Sequence, residues 1–86
     1  MEQLKQIKVI DGYYVWLKFE DGTEKVVNLR PLIGKGFTAE LLAEEKFNEL
    51  YIEPGGGLAW PNGFDICPNY LKEMENRNHK IQEDQN

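Results

Sequence analysis

Residues 4–29 read LKQIKVIDGYYVWLKFEDGTEKVVNL, and two Asp-Gly pairs, Asp11-Gly12 and Asp21-Gly22, divide them into three β-rich runs. Asp-Gly between such runs is the strongest short-range hairpin signal, because glycine takes the positive φ that a twisted two-stranded ribbon needs at its turn. The runs at 4–10, 13–19 and 24–29 therefore predict a three-stranded antiparallel meander. Period-two alternation puts Tyr13, Val15, Leu17 and Phe19 on one face, with Val27 and Leu29 as their sheet neighbours. That face is the expected core. The opposite face carries Tyr14 and Trp16, with Val26 and Ile10 beside them. One face of a small antiparallel sheet is commonly polar and wet, so two large aromatics there need a cover. Either the C-terminal helix supplies it through Tyr70, Leu71 and Met74, or a second chain does.

Beyond the meander, Pro31, Gly34 and Gly36 turn the chain within residues 30–37. Thr38 is placed to cap a short helix, its hydroxyl accepting a backbone N–H of the first turn. Glu40 sits where a negative charge complements the helix dipole, and Leu41, Leu42 and Phe47 supply the buried face. Residues 50–53 predict a fourth strand, Pro54 to Gly57 a loose turn, and 58–60 a fifth strand that continues extended over 64–67. Between its two parts, Trp60-Pro61-Asn62-Gly63 has proline second and glycine fourth, the preference of a type I turn. Pro68 presets φ for a second helix over 68–75. Residues 77–86 (RNHKIQEDQN) hold one apolar residue and are expected to form a frayed polar tail on a single domain of residues 1–76. The expected fold class is α+β, a single domain with a mostly antiparallel sheet in β-β-β-α-β-β-α order.

Eighty-six residues leave room for one core only. At 41 % hydrophobic and 29 % charged, the chain has a globular rather than a disordered composition. Ten Lys and Arg against fifteen Asp and Glu leave a net charge of −5. That balance argues against direct binding of nucleic acid, where a basic stripe must displace counterions, and against anionic membrane. No apolar run approaches the roughly 20 residues that span a bilayer. The opening MEQLKQIK lacks the apolar stretch of a secretory signal. A single cysteine makes no internal disulfide, which fits a reducing, cytoplasmic setting.

Few residues carry the marks of chemistry. Cys67 would need a base to become a nucleophile, and the single imidazole, His79, lies in the polar tail. A small apolar residue at a strand end or helix start accounts for it. Asp65 reads either as a general base, alone or paired with Glu53, or as a turn-adjacent carboxylate bonded to local N–H groups. Gly55-Gly56-Gly57 lacks the Lys and Ser or Thr of a phosphate loop and reads as a hairpin loop. Glu44, Glu45, Glu49 and Glu53 lack the spacing of a calcium loop, and four His or Cys ligands for zinc do not exist. No metal and no cofactor are expected. Two functional readings remain. In the first, the chain is a non-catalytic interaction module that meets a protein partner or a second copy through Tyr14, Trp16 and Val26, Tyr and Trp being enriched at interface hot spots. In the second, it is a small-molecule binder or minor enzyme with a pocket between sheet and helix near Trp60, Asp65 and Cys67. Tyr70, Leu71, Met74 and Ile81 also lie near helical spacing, which would offer a partner an amphipathic C-terminal helix.

The succession Phe19-Glu20-Asp21-Gly22, Val27-Asn28-Leu29-Arg30-Pro31-Leu32, Gly36-Phe37, Phe47 and Trp60-Pro61-Asn62-Gly63-Phe64-Asp65-Ile66-Cys67-Pro68 resembles a small bacterial family, domain-of-unknown-function family 2442. The resemblance runs from about Leu4 to Leu71 and is most specific in the stretch from Trp60 to Pro68. It implies a short α+β domain without assigned activity or catalytic residues. It also implies relatives encoded beside small partner proteins in a toxin–antitoxin-like arrangement, in which this acidic chain is expected to be the acidic partner. Asn28 and Asn69 stand where aspartate is common in the family pattern, so no carboxylate role carries over at either position.

Overall fold

The computed structural model describes residues 2–76, so the predicted tail at 77–86, with His79 and Ile81, lies outside the described residues. Three strands, β1 (Leu4–Asp11), β2 (Tyr14–Phe19) and β3 (Glu24–Asn28), form an antiparallel sheet in the order β1-β2-β3. The second Asp-Gly turn shows why the sequence folds this way. Gly22 takes φ +92°, its N–H donates to the Phe19 carbonyl over 2.9 Å, and the Asp21 carboxylate accepts the Thr23 N–H at 2.9 Å. In the resulting register Val15 faces Val27 and Trp16 faces Val26. Val15, Leu17, Phe19, Val27 and Leu29 are all fully buried on the inner face.

After β3 the chain winds through two 3-10 helices, Arg30–Leu32 and Gly36–Leu42, before the four-residue helix α1 (Glu44–Phe47). Thr38 does not start a helix, as its sequence context predicts. It lies inside the second 3-10 helix and bonds backwards, its hydroxyl accepting the Gly34 N–H at 3.2 Å and donating to the Lys35 carbonyl at 2.7 Å. The bend at residues 34–36 brings those earlier backbone groups over the hydroxyl. Leu41 and Phe47 are buried as expected.

Three two-residue strands, β4 (Tyr51–Ile52), β5 (Leu58–Ala59) and β6 (Asp65–Ile66), make a second antiparallel sheet in the order β4-β5-β6. What reads in the sequence as one strand resuming after Trp60–Gly63 is thus a hairpin of two strands. The turn reverses the chain completely: the Gly63 N–H donates to the Trp60 carbonyl and the Trp60 N–H to the Phe64 carbonyl, each at 3.0 Å. The α+β class and antiparallel pairing hold, with one strand more and two sheets in place of one. Helix α2 (Pro68–Glu73) follows, with Pro68 in its first turn, and is two residues shorter than predicted because Met74 already has extended backbone.

Both sheets and α2 share one core, in which Trp60, Phe19, Phe47, Leu58 and Leu71 are nearly or wholly buried. The Trp60 indole N–H donates to the Phe47 carbonyl at 2.9 Å, and its ring stacks on Phe64 with centroids 5.4 Å apart. Among the described residues, no helix is long and apolar enough to cross a membrane.

Candidate functional site

The alternation that sends Val15, Leu17 and Phe19 inward sends Tyr14, Trp16 and Lys18 outward. Trp16 lies at the centre of that outer face, with Lys8 of β1 opposite it on one side and Val26 of β3 on the other. The flanking rows are Asp11–Tyr14–Asn28 and Gln6–Lys18–Glu24. Tyr14 and Trp16 are half-buried, Val26 is buried, and the indole N–H of Trp16 donates to the Glu24 carboxylate at 3.3 Å. The three residues expected to meet a partner are therefore sheet neighbours on one surface.

Helix α2 does not cover this surface. Leu71 and Met74 pack into the core with Leu17 and Phe19, on the opposite side of the sheet, and Tyr70 is exposed. What holds α2 there is a lysine. Lys25 faces Leu17 across the sheet, on the inner side, and is buried. Its ammonium reaches the C-terminal end of α2, donating to the Lys72 carbonyl at 2.6 Å and to the Met74 carbonyl. Desolvation lowers its pKa, and the positive charge of Lys72 adds to the effect.

Lys72 in turn bridges Asp21 at 2.8 Å and Glu2 at 2.9 Å, with its ammonium 4.8 Å from the centre of the Phe19 ring. The hydrogen bond from Lys72 holds the Asp21 carboxyl well below the usual carboxylate range. The same bond, then the one to Glu2, raises the Lys72 pKa. This clasp delivers the chain after α2 to the edge of β3 that faces away from β2, where the Val26 N–H donates to the Asn76 side-chain oxygen at 3.4 Å. Neither lysine stands out in the sequence. The available signal for Lys25 is its parity with Val27, which puts it on the core-facing side of β3.

Trp60, Asp65 and Cys67 are not gathered into one place. Trp60 is in the core, whereas Asp65 and Cys67 are exposed and flank the inward-facing Ile66. Cys67 is not the buried apolar residue expected. It stands in solvent at the N-cap of α2, where its carbonyl accepts the Leu71 N–H at 3.2 Å, because Pro68 opens the helix directly after it. Glu53 is engaged in its own loop, its two carboxylate oxygens accepting the Gly55 N–H at 2.8 Å and the Gly57 N–H at 3.2 Å. Asn28 accepts the Arg30 N–H at 3.1 Å and so initiates the first 3-10 helix, a role an amide fills as well as a carboxylate. Among the described residues, no three His, Cys, Asp or Glu side chains are grouped to hold a metal ion.

A family model described as "Protein of unknown function (DUF2442)" matches residues 4–76. No curated protein is significantly similar to the chain. No solved structure is significantly similar to it either.

Proposed function

This chain belongs to the DUF2442 family, proteins of unknown function, and from that premise we propose that it is a non-catalytic, cytoplasmic protein–protein interaction module, the acidic member of a toxin–antitoxin-like or regulatory pair. One observation carries the reading: Tyr14, Trp16 and Val26 are neighbours on the outer sheet face, opposite the side on which Leu71 of α2 packs. Aromatic anchors of this kind dominate interface energetics. The net charge of −5 selects a basic protein as partner, since complementary charge speeds the encounter and makes it salt-sensitive. The scattered placement of Trp60, Asp65 and Cys67 gives the small-molecule alternative no comparable support.

The test is affinity capture of the tagged protein from its host lysate at low and moderate salt, beside the Tyr14→Ala/Trp16→Ala double variant. The expected result is one stoichiometric basic partner, weakened by salt and bound at least about 30-fold less tightly by the variant, the equivalent of one hot-spot residue at about 2 kcal/mol. A partner retained equally by the variant would remove this face from the reading. Recovery of the bare protein under gentle conditions would remove the partner itself.

A further inference from the structure

We propose that the corner between β3 and α1 holds an anion site for a small phosphate ester, its phosphate gripped by Arg30 and Lys35. The site shares no residue with the outer sheet face, nor with Trp60, Asp65 and Cys67. It stands whether or not that face meets a partner.

The corner is a cleft of about 250 Å³ lined by the continuous run 30–35 and by Thr38. Its two charged lining residues are both basic, in a chain whose net charge is −5. Among the described residues the ion pairs are those of Lys72, so neither Arg30 nor Lys35 has a carboxylate within ion-pair distance. Two positive charges without a local acid match a phosphate monoester, which carries about −1.5 to −2 near neutral pH. A carboxylate would neutralise one of them only. Pro31 and Leu32 line the same cleft and give the carbon part of the ester an apolar wall.

Arg30 is oriented before any ligand arrives. Its Nη1 donates to the Ile33 carbonyl at 3.0 Å, and its guanidinium lies directly against Gly34. A Cβ at Gly34 would come 3.0 Å from Nη1 and 3.6 Å from Cζ of Arg30, and the φ of +114° favours glycine there in its own right. The remaining N–H groups of the fork are left for an acceptor. A planar fork binds phosphate oxygens in pairs, and one already fixed in place loses little further freedom on binding. The backbone of the cleft is fixed as well. The Thr38 hydroxyl accepts the Gly34 N–H at 3.2 Å and the Lys35 N–H at 3.4 Å, and donates to the Lys35 carbonyl at 2.7 Å. Lys35 enters these bonds through its backbone alone, so its ammonium serves as a movable second charge. The negative charge elsewhere on the chain is screened beyond about 8 Å at about 0.15 M salt, so it slows the approach of an anion more than it weakens the bound state.

Titration of the isotope-labelled full chain at constant ionic strength, read by NMR shifts of the backbone amides and of Arg30 Nε, tests the site. The probes are inorganic phosphate, phenyl phosphate and acetate, with chloride as the balancing anion. The expected result is a saturable shift centred on Arg30 Nε and the amides of residues 33–38. Phenyl phosphate should bind several-fold more tightly than inorganic phosphate, and acetate at least about tenfold more weakly. Arg30→Gln is expected to weaken phosphate binding at least about tenfold, the loss of a charge-assisted hydrogen bond. Lys35→Gln keeps every hydrogen bond given above, so it remains informative if the first variant loosens the corner, and should weaken binding about threefold. Lys5→Gln, exposed on β1 and outside the cleft, should leave it unchanged. The proposal is overturned if no saturable shift appears, if acetate binds as tightly as phosphate, or if phenyl phosphate gains nothing over inorganic phosphate. Equal weakening by Lys35→Gln and Lys5→Gln would overturn it too, since only the overall charge of the chain would then be at work.

Discussion

The Lys25 ammonium, carried on the core-facing side of β3, donates to the Lys72 carbonyl at 2.6 Å and to the Met74 carbonyl, at the end of a helix 47 residues away in sequence. The last carbonyls of a helix have no partner within it, and a positive charge there also meets the negative end of the helix dipole. One side chain therefore docks α2 onto the meander. Lys25→Met keeps the length and the apolar stem but strands those carbonyls. It is expected to cost about 1–3 kcal/mol in urea unfolding, with faster hydrogen exchange in α2 than in β2. An unchanged unfolding midpoint would show that Leu71, Met74 and the ion pairs of Lys72 hold α2 without it.

The clasp around Lys72 predicts an acid-sensitive contribution to stability. Asp21 is depressed below its ordinary 3.8 by the bond from Lys72, so the unfolded chain takes up the proton first. The contribution is complete above that ordinary value and is lost as pH falls below it towards the folded one. Lys72 is raised above 10.5 and works in the opposite sense, its contribution present below that value and lost as pH rises through the folded one. Lys25 is lowered, so between its folded value and 10.5 it makes stability rise with pH. Melting temperatures measured between about pH 2 and 6 should fall less steeply at the acid end for Asp21→Asn than for the parent chain. Parallel curves would mean that the ion pair does not persist in solution.

The parts of this fold that were legible in the sequence are those where a local pattern repeats long enough to be periodic. The meander is announced by two Asp-Gly turns and by strands of five to eight residues, and its inner and outer faces follow from parity. A strand of two residues, as in β4, β5 and β6, has no period to detect, so the second sheet emerges only once the Trp60–Gly63 turn pairs Leu58 with Ile66. The 3-10 windings likewise share their residues with α-helices. Lys25 was the least legible feature. A lysine on a core-facing position is satisfied only by backbone from the far end of the chain, and nothing beside it in sequence reports that partner. The exposure of Cys67 is hidden for a related reason, since a strand-to-helix junction says nothing about which side faces water.

Gly56 joins the two sheets at a contact that admits no side chain. Its carbonyl accepts the Leu4 N–H at 2.8 Å, and its φ of +92° is one that glycine alone adopts readily. A Cβ added there would lie 2.5 Å from Gln3 Cγ, 2.6 Å from Gln3 Cβ and 3.0 Å from the Gln3 Cα, so the start of β1 would have to move. Gly56→Ala is expected to cost about 1–3 kcal/mol in equilibrium unfolding. Gly22→Ala has the same φ but meets nothing within 4 Å, and should cost less, about 1 kcal/mol. Equal losses would assign the whole effect to φ and none to the packing of β1 against the loop.

The two tryptophans should separate stability from binding. Trp60 is 1 % exposed, donates to the Phe47 carbonyl, and lies in a run of ring contacts that passes through Phe64 to Phe37 on one side and through Phe47 to Tyr13 on the other. Trp60→Phe leaves the Phe47 carbonyl only the longer bond from the Leu50 N–H at 3.3 Å and opens a cavity, for an expected loss of about 2–4 kcal/mol. A chain of this size has a total stability of about 4–13 kcal/mol, so that loss alone would lower the melting temperature by many degrees. Trp16→Phe gives up only a longer, exposed bond to Glu24 on a half-buried ring, and should cost about 1 kcal/mol or less. Differential scanning calorimetry of the two variants makes the comparison. Losses of similar size would mean that the outer face is held closed as firmly as the core, in which case a partner could reach Trp16 only after something had been displaced from it.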